Sequence, residues 1–157
     1  MRLDPSSSSD RDLVLANARR LRHAVDPRQR QALLRGKNLA LMCESPEGAD
    51  ATRFREAALD LGAHVAFLRT GLAELTLGDV RQHTAQLLGR LYQGIECQGM
   101  PADLVAELGR EAGIPVYDGV ATAAHPFAGL ASLLDDDDAV EDRLRLVVQA
   151  VLVSSLG

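Results

Sequence analysis

The sequence predicts an α/β fold class: one three-layer domain with a four-stranded parallel sheet between helices. Four short apolar runs have the length of buried strands, and they alternate with helical stretches of about ten to fifteen residues. That spacing favours βαβ crossovers, which join parallel strands. A chain of 157 residues has the length of one domain, and 46% hydrophobic residues can supply its core.

The first residues, 1–9, are polar and serine-rich, and we expect this tail to be disordered. Asp10 is predicted to cap a helix that runs to about Val25. The alternating part then has predicted strands at Leu39–Cys43, His64–Leu68, Gly94–Cys97 and Pro115–Tyr117, and predicted helices at Ala51–Leu61, Asp79–Tyr92 and from Pro101 to about Gly113. Gly62 is placed to end the first of these three helices.

The last part of the chain follows a His-Pro pair at 125–126. A helix to about Leu134 ends the predicted α/β domain of residues 10–134. Residues 135–138 are four aspartates, predicted to be a solvated linker, because a metal site on consecutive repelling carboxylates is less favourable. Residues 139–157 are amphipathic, and we expect this C-terminal helix to pack back on the domain.

Composition and charge exclude several classes of partner. A net charge of −5 argues against a nucleic-acid or anionic-membrane surface. No apolar run reaches the 18 or more residues of a membrane span, and the N-terminus lacks the apolar stretch of a secretory signal. We therefore expect a cytoplasmic protein that binds neither nucleic acid nor membrane.

Two cysteines, Cys43 and Cys97, each end an apolar run, and we interpret both as buried free thiols. A disulfide between them, or a site shared with His125, is the alternative. Neither cysteine has the spacing of a metal site, and the chain has no phosphate-binding P-loop and no dinucleotide glycine fingerprint. No cofactor and no metal are expected.

Ligands of open parallel sheets usually bind beyond the carboxyl ends of the strands. Three segments follow predicted strands: Glu44–Asp50, Gln98–Met100 and Gly119–His125. Any retained function should therefore lie there.

Several blocks resemble the carbamoyl-phosphate-binding domain of the aspartate and ornithine carbamoyltransferase family. They include Leu33–Leu41, Gly62–Val65, Thr84–Tyr92, Gly94–Glu96, Ala112–Tyr117 and His125-Pro126, in the family order with almost no gaps. Residues 141–157 resemble the last helix of the full-length enzyme, whereas the amino-acid-binding domain is missing between about Leu134 and Asp138. The chain therefore resembles an internally deleted carbamoyltransferase.

The resemblance does not extend to the residues that bind ligands in the family. The family pattern Ser-Thr-Arg-Thr-Arg falls on Glu47–Ala51, so that alanines replace both arginines and Glu47 and Asp50 are new acids. Gln98 replaces a phosphate-binding arginine, and Phe127 and Ala128 replace a threonine and a glutamine after the retained His125. His125 is the only catalytic residue of the family type that is kept, either as a donor to a carbonyl oxygen or as a relic that fixes the loop.

The new acids have a structural interpretation as well. Asp50 is predicted to be the N-cap of the following helix, accepting the amides that would otherwise hold a phosphate. Glu47 would gain from the same helix dipole. A new cation site is the alternative.

Three functions follow from this pattern. The first is a non-catalytic, oligomeric structural or regulatory subunit, as a homotrimer or mixed with a complete carbamoyltransferase, because the family's trimer contacts lie in this domain. The second is a small-molecule binding module for a cationic or neutral ligand such as an amine or an amino acid. Its predicted pocket consists of Glu44, Ser45, Glu47, Gly48, Asp50, Thr52, Gln98 and His125. The third, ranked last, is a working carbamoyltransferase.

Overall fold

The computed structural model describes residues 2–23, 26–69, 75–135 and 137–157. Its centre is a sheet of four strands: β1 (Asn38–Met42), β2 (His64–Leu68), β3 (Gly94–Cys97) and β4 (Val116–Asp118). The strands are all parallel and lie in the order β2-β1-β3-β4. The predicted fold class is confirmed.

Helices cover both faces of this sheet. They are α1 (Ser8–His23), α2 (Pro27–Ala32), α3 (Ala49–Asp60), α4 (Gly78–Leu91), α5 (Ala102–Ala112), a 3₁₀ helix (Pro126–Leu133) and α6 (Val140–Leu156). Alternation along β1 divides the core, because successive side chains of a strand point to opposite faces. Leu39 and Leu41 pack with α1, α3 and α6, while Ala40 and Met42 pack with α4 and α5.

The N-terminal segment differs from the prediction of a disordered tail. Helix α1 begins at Ser8, and the Ser7 hydroxyl accepts a hydrogen bond from the Asp10 amide at 3.3 Å, so that Ser7 takes the capping contact predicted for Asp10. Asp10 itself accepts from the Asp4 amide at 2.8 Å, and Leu3 packs against the core. These contacts order residues 2–7. The predicted helix end at Val25 lies outside the described residues.

The segment after His125 is also helical, but its turns are 3₁₀ rather than α. The His125 carbonyl accepts from the Ala128 amide at 2.9 Å, which is the i→i+3 bond of that geometry. Pro126 at its start has no amide to donate, and the His125 side chain accepts from the Phe127 amide instead, which closes the first turn.

Helix α6 packs against α1, α3 and the 3₁₀ helix. Val147, Val148, Val151 and Leu152 are buried there, as the apolar side of the amphipathic segment requires, whereas Leu144 is only partly buried. Two of the four aspartates before α6 are not simply solvated: Asp135 lies 3.2 Å from Arg22 of α1, and Asp138 also pairs with Arg22. Asp136 lies outside the described residues. Within the described ranges, no helix is both long enough and apolar enough to cross a membrane.

Candidate functional site

The turn between β1 and α3 brings backbone amides to the carboxyl edge of the sheet. Gly48 is the N-cap of α3, in extended backbone, and has no side chain with which to cap. Asp50 therefore lies inside the first turn, and its side chain makes no capping hydrogen bond, so the predicted capping by Asp50 is wrong. The helix begins before Asp50, and that carboxylate accepts from the side chain of Arg53 at 3.0 Å instead.

Arg53 is the central polar side chain of this region, with only 6% of it exposed. Its Nε and Nη2 donate to the two carboxylate oxygens of Glu141, at 2.8 and 3.0 Å. Its Nη1 donates to Asp50 and also to the Ala121 carbonyl oxygen. The bond to Glu141 is the largest cause that raises the pKa of Arg53, and the same bond lowers the pKa of Glu141.

Arg53 therefore joins α3 to the first turn of α6 and to the loop after β4. Sequence reasoning did not select it. The available signal was its position, because Arg53 shares the apolar side of α3 with Ala57, one turn later. A charged residue there must find buried partners, but the sequence does not show which ones.

Glu96 on β3 is fully buried and holds the same loop. Its Oε1 accepts from the Val120 amide and its Oε2 from the Ala121 amide, both at 2.9 Å. Burial raises the pKa of Glu96 to about 7, although these hydrogen bonds oppose the rise. Glu96 was noticed only as part of a sequence block, and its role depends on the fold.

Gln98 connects the turn that holds Asp50 and Arg53 to the buried carboxylate of Glu96. Its side-chain nitrogen donates to the Asp50 carbonyl oxygen at 3.1 Å and to Oε2 of Glu96 at 3.2 Å. An amide nitrogen has two hydrogens, and both are used here. The structure thus brings Gln98 and Asp50 together, as the predicted pocket requires, through bonds within the protein.

The rest of that predicted pocket is spread over the surface. Glu44, Ser45 and Glu47 are exposed on the turn before α3, while Gly48 and Thr52 are partly buried. His125 lies at a different cavity. That cavity, of about 540 Å³, follows the outer edge of β4 between α5 and α6, and the seven other predicted residues do not line it.

His125 forms part of the wall of this β4 cavity with Tyr117 and Asp118. Its Nδ1 accepts from the Phe127 amide at 3.1 Å, so the neutral ring carries its proton on Nε2. Burial lowers the pKa of His125, with Asp118 acting in the opposite direction. The neutral ring is therefore favoured, and Nε2–H is its remaining donor.

Both cysteines are free and buried, which confirms their interpretation as thiols. Burial raises the pKa of Cys43 and of Cys97. Within the described part of the chain, no group of three or more His, Cys, Asp and Glu side chains is arranged to hold a metal ion.

Comparison with known proteins identifies the family. The sequence model described as "Aspartate/ornithine carbamoyltransferase, carbamoyl-P binding domain" matches residues 1–135. The chain belongs to this carbamoyltransferase family.

Relatives of this carbamoyltransferase-family chain include the ornithine carbamoyltransferase of Cutibacterium acnes. It is 39% identical over 104 residues, which is 66% of this chain and 31% of that protein. The ornithine carbamoyltransferase of Haemophilus influenzae strain PittGG is 35% identical over 121 residues, 77% of this chain and 36% of that protein. The chain thus spans about a third of the length of the curated relatives it matches.

Solved carbamoyltransferase structures share the fold. Ornithine carbamoyltransferase from Thermus thermophilus superposes with a TM-score of 0.64 at 28% identity, over 82% of this chain and 44% of that one. The catalytic subunit of M. jannaschii aspartate transcarbamoylase gives a TM-score of 0.67 at 18% identity, over 84% and 44% respectively. The second likeness is one of fold alone.

Proposed function

We propose that this carbamoyltransferase-like domain has lost carbamoyl phosphate binding and catalysis and acts as a structural or regulatory subunit of an oligomer. The observation that carries the proposal is the state of Arg53. This buried guanidinium beside the first turn of α3 is engaged by Glu141, Asp50 and the Ala121 carbonyl. A phosphate would have to displace carboxylates that already hold the cation at 2.8 to 3.0 Å.

The negative charge of the turn before α3 also disfavours phosphate binding. Helix N-termini attract anions through their free amides and dipole. Here Glu44 and Glu47 are exposed on that turn, and each carboxylate would repel an anion by roughly 3 kcal/mol at ~5 Å in an effective dielectric near 20, whereas the charge of Asp50 is paired with Arg53. Arg55 is exposed, and its guanidinium lies 3.5 Å from the Pro46 carbonyl, so it offsets only part of this repulsion.

Gln98 also disfavours phosphate binding, because it occupies the position where the resemblance places a phosphate-binding arginine. Its amide brings no positive charge, and both of its hydrogens are donated to Asp50 and Glu96. Binding a phosphate through Gln98 would break bonds that link α3 to β3.

Calorimetry with carbamoyl phosphate tests the loss of binding. We expect no measurable heat for the wild-type chain at millimolar ligand. A variant with Ala49→Arg, Asp50→Thr and Gln98→Arg restores three family-type residues and should show binding. Gln86→Arg, on an exposed position of α4, is the control for added charge without a site.

Activity is measured in the same samples, by the appearance of a carbamoylated product from ornithine or aspartate. Sub-millimolar binding of carbamoyl phosphate by the wild type, or clear turnover, would contradict the proposal and favour the third hypothesis. Failure of the triple variant to bind, with the wild type also silent, would show that the altered residues are not the cause.

Assembly is the second half of the proposal. The resemblance implies that the retained domain is the one that makes trimer contacts, and one structural neighbour is described as a catalytic subunit. A homotrimer or a mixed oligomer with a complete carbamoyltransferase would follow. Light scattering should give a multiple of the 16.8 kDa chain mass, and a monomer at high concentration would contradict self-assembly.

The β4 cavity supports a second candidate function, a small-molecule binding module. Asp118 offers a carboxylate, His125 offers Nε2–H, and apolar walls such as Val105 and Phe127 complete the site. A ligand with a cationic amine and an apolar body would match these groups. Thermal shift over amines and amino acids tests it: stabilisation that Asp118→Asn removes would support binding, and no shift with any ligand would contradict it.

A further inference from the structure

The β4 cavity borders the backbone of an edge strand. Every residue from Gly113 to Asp118 lines it, whereas a cavity on one face of a sheet would be lined by alternate residues of the strand. Its other walls come from both hydrophobic cores, because Val105 belongs to the core beneath α4 and α5, while Phe127 and Val151 belong to the larger core. The cavity therefore straddles the outer edge of the sheet.

The backbone groups on this edge lack partners within the described part of the chain. The Gly119 amide donates to the Cys97 carbonyl oxygen at 2.7 Å, and Pro115 also bonds to β3, so the odd-numbered residues here face that strand. The residues between them direct both N–H and C=O to the opposite side. These outward groups belong to Val116 and Asp118, and no group in the described ranges bonds to them.

Two amides and two carbonyls in alternation along an edge match the backbone of one more extended strand. We propose that the β4 cavity binds a short apolar peptide with free termini, which pairs with the outer edge of β4. The cavity volume of about 540 Å³ lies within the range of small-ligand sites. At about 3.3 Å per residue, an extended tripeptide has the same length as the three residues of β4.

Both sides of such a strand would meet apolar walls. On the α5 side the walls are Ala102, Ala106 and Gly109, whose small side chains leave room beside β4. Outside its own helix, a Cβ added at Gly109 would meet only the Cβ of Val116, at 3.7 Å. Phe127 is a wall on the other side of the sheet. Because side chains of an extended peptide alternate between these sides, apolar residues suit all positions.

The charges in the cavity wall match the two ends of a free peptide. Asp118 supplies a carboxylate and Arg2 a guanidinium, and neither has an ion-pair partner among the residues that the structure describes. Arg2 acts on Asp4 only from beyond ion-pair distance. The peptide ammonium would pair with Asp118 and its carboxylate with Arg2, while Nε2–H of His125 could donate to a peptide carbonyl.

This inference rests on the second candidate function proposed above, because it names the class of ligand for that cavity. Calorimetry with the tripeptide leucyl-alanyl-leucine tests it, and we expect a dissociation constant of about 1 mM or below. Two analogues each carry an ester oxygen in place of one amide N–H. Alternate amides of an extended peptide face the same side, so one analogue should bind roughly fivefold more weakly and the other should bind like the peptide.

Acetylation of the peptide amine and Asp118→Asn should each weaken binding roughly tenfold, and the two losses should not add. Asp79→Asn, an exposed acid of α4 outside the cavity, is the control for lost charge.

A filled cavity tests the location. Gly109→Met should weaken tripeptide binding roughly tenfold without lowering the melting temperature, because glycine is unfavourable inside a helix. Arg110→Met, at the next and exposed position, should leave binding unchanged. Tripeptide binding that Gly109→Met does not affect would overturn the assignment to this cavity.

The outcomes separate the peptide from other ligands. Equal binding of the tripeptide and both ester analogues would overturn pairing with β4. Stabilisation by amines that depends on Asp118, without tripeptide binding, would overturn the peptide inference and leave the binding-module candidate intact. No tripeptide binding and no shift with any amine would overturn both. Calorimetry with carbamoyl phosphate decides the loss of phosphate binding independently.

Discussion

The two faces of the sheet are covered to different extents. On one face α1, α3, the 3₁₀ helix and α6 enclose the larger core, which includes Phe54 and Leu152 with no exposed surface. On the other face, α4 and α5 cover a smaller core, and the outer side of α4 stays apolar and exposed. The C-terminal helix explains the difference, because its buried side adds a further layer to the first face only. The first face is therefore expected to contribute more to stability than the second.

The largest expected difference between the two faces is in the free energy of unfolding when one leucine on each face is truncated. Leu152→Ala, in the larger core, should lower the free energy of unfolding by about 3 kcal/mol through lost transfer energy and a cavity. Leu87→Ala, at an exposed position of α4 on the second face, should change it by about 0.5 kcal/mol or less. Urea denaturation measures both, and equal losses would show that Leu87 is part of the folded core.

The buried carboxylate of Glu96 should make the free energy of unfolding depend on pH, with a change of similar size. The pKa of Glu96 is raised from 4.5 to about 7 in the folded state, so the native protein binds more protons than the unfolded chain between these values. Its contribution is fully present below about pH 4.5 and is lost as pH rises through 7, on the order of 3 kcal/mol. Denaturation from pH 5 to 8 should show this fall.

Glu96→Gln removes the titration and is the matched variant. It should be destabilised at pH 5, since its single amide oxygen can accept from only one of the Val120 and Ala121 amides and leaves the other facing an NH2 group. Its own stability should vary less with pH. An undiminished pH slope in Glu96→Gln would assign the effect to another group.

Removing the contacts of Arg53, on the face with the larger core, should cause the next largest loss of stability. Arg53→Met keeps the apolar stem but leaves the Ala121 carbonyl without its buried donor, at a cost of about 1–3 kcal/mol. Arg55→Met, two residues on and exposed, should cost little. Similar losses in the two variants would contradict a special role for the buried guanidinium.

Substitution of Glu141, the half-exposed partner of Arg53, should have the smallest effect on stability. Glu141 is half-exposed, so solvent screens its pair with Arg53, and Glu141→Gln should cost about 0.5–1 kcal/mol at neutral pH. The pKa of Glu141 is lowered from 4.5, so its contribution is present above that value and is lost as pH falls below it. Denaturation at pH 7 and pH 3 should therefore show the gap to Glu141→Gln closing in acid. A gap that persists at pH 3 would indicate loss of packing.

Much of the fold could be predicted because strands and helices have local periods. The apolar runs at β1 and β3, and the glycines after α3 and α5, fixed element types and most boundaries. The errors occurred where local signals compete: Ser7 rather than Asp10 contacts the first turn of α1, and Gly48 rather than Asp50 begins α3. At α1 several residues had suitable side chains and the path of the backbone selected Ser7, whereas at α3 it placed Gly48, which has no side chain, at the N-cap.

The candidate site was predicted less completely. Gln98 and Asp50 do lie together, but His125 lines a cavity at the edge of β4, away from the turn that follows β1. The spacing of Leu87, Leu88 and Leu91 predicts one shared face of α4, but in the structure Leu88 is buried while Leu87 and Leu91 are exposed. The sequence did not show whether that face was buried.

The sequence by itself determined the α/β architecture and the family, because both are written in local periods and in blocks of neighbouring residues. Only the tertiary structure decided which partners the buried polar side chains have. Arg53 meets Glu141 across 88 positions of the chain, and Glu96 meets Val120 across 24. Such partners come together only when separate elements pack, and in this chain that packing joins α3 and the loop after β4 to the last helix.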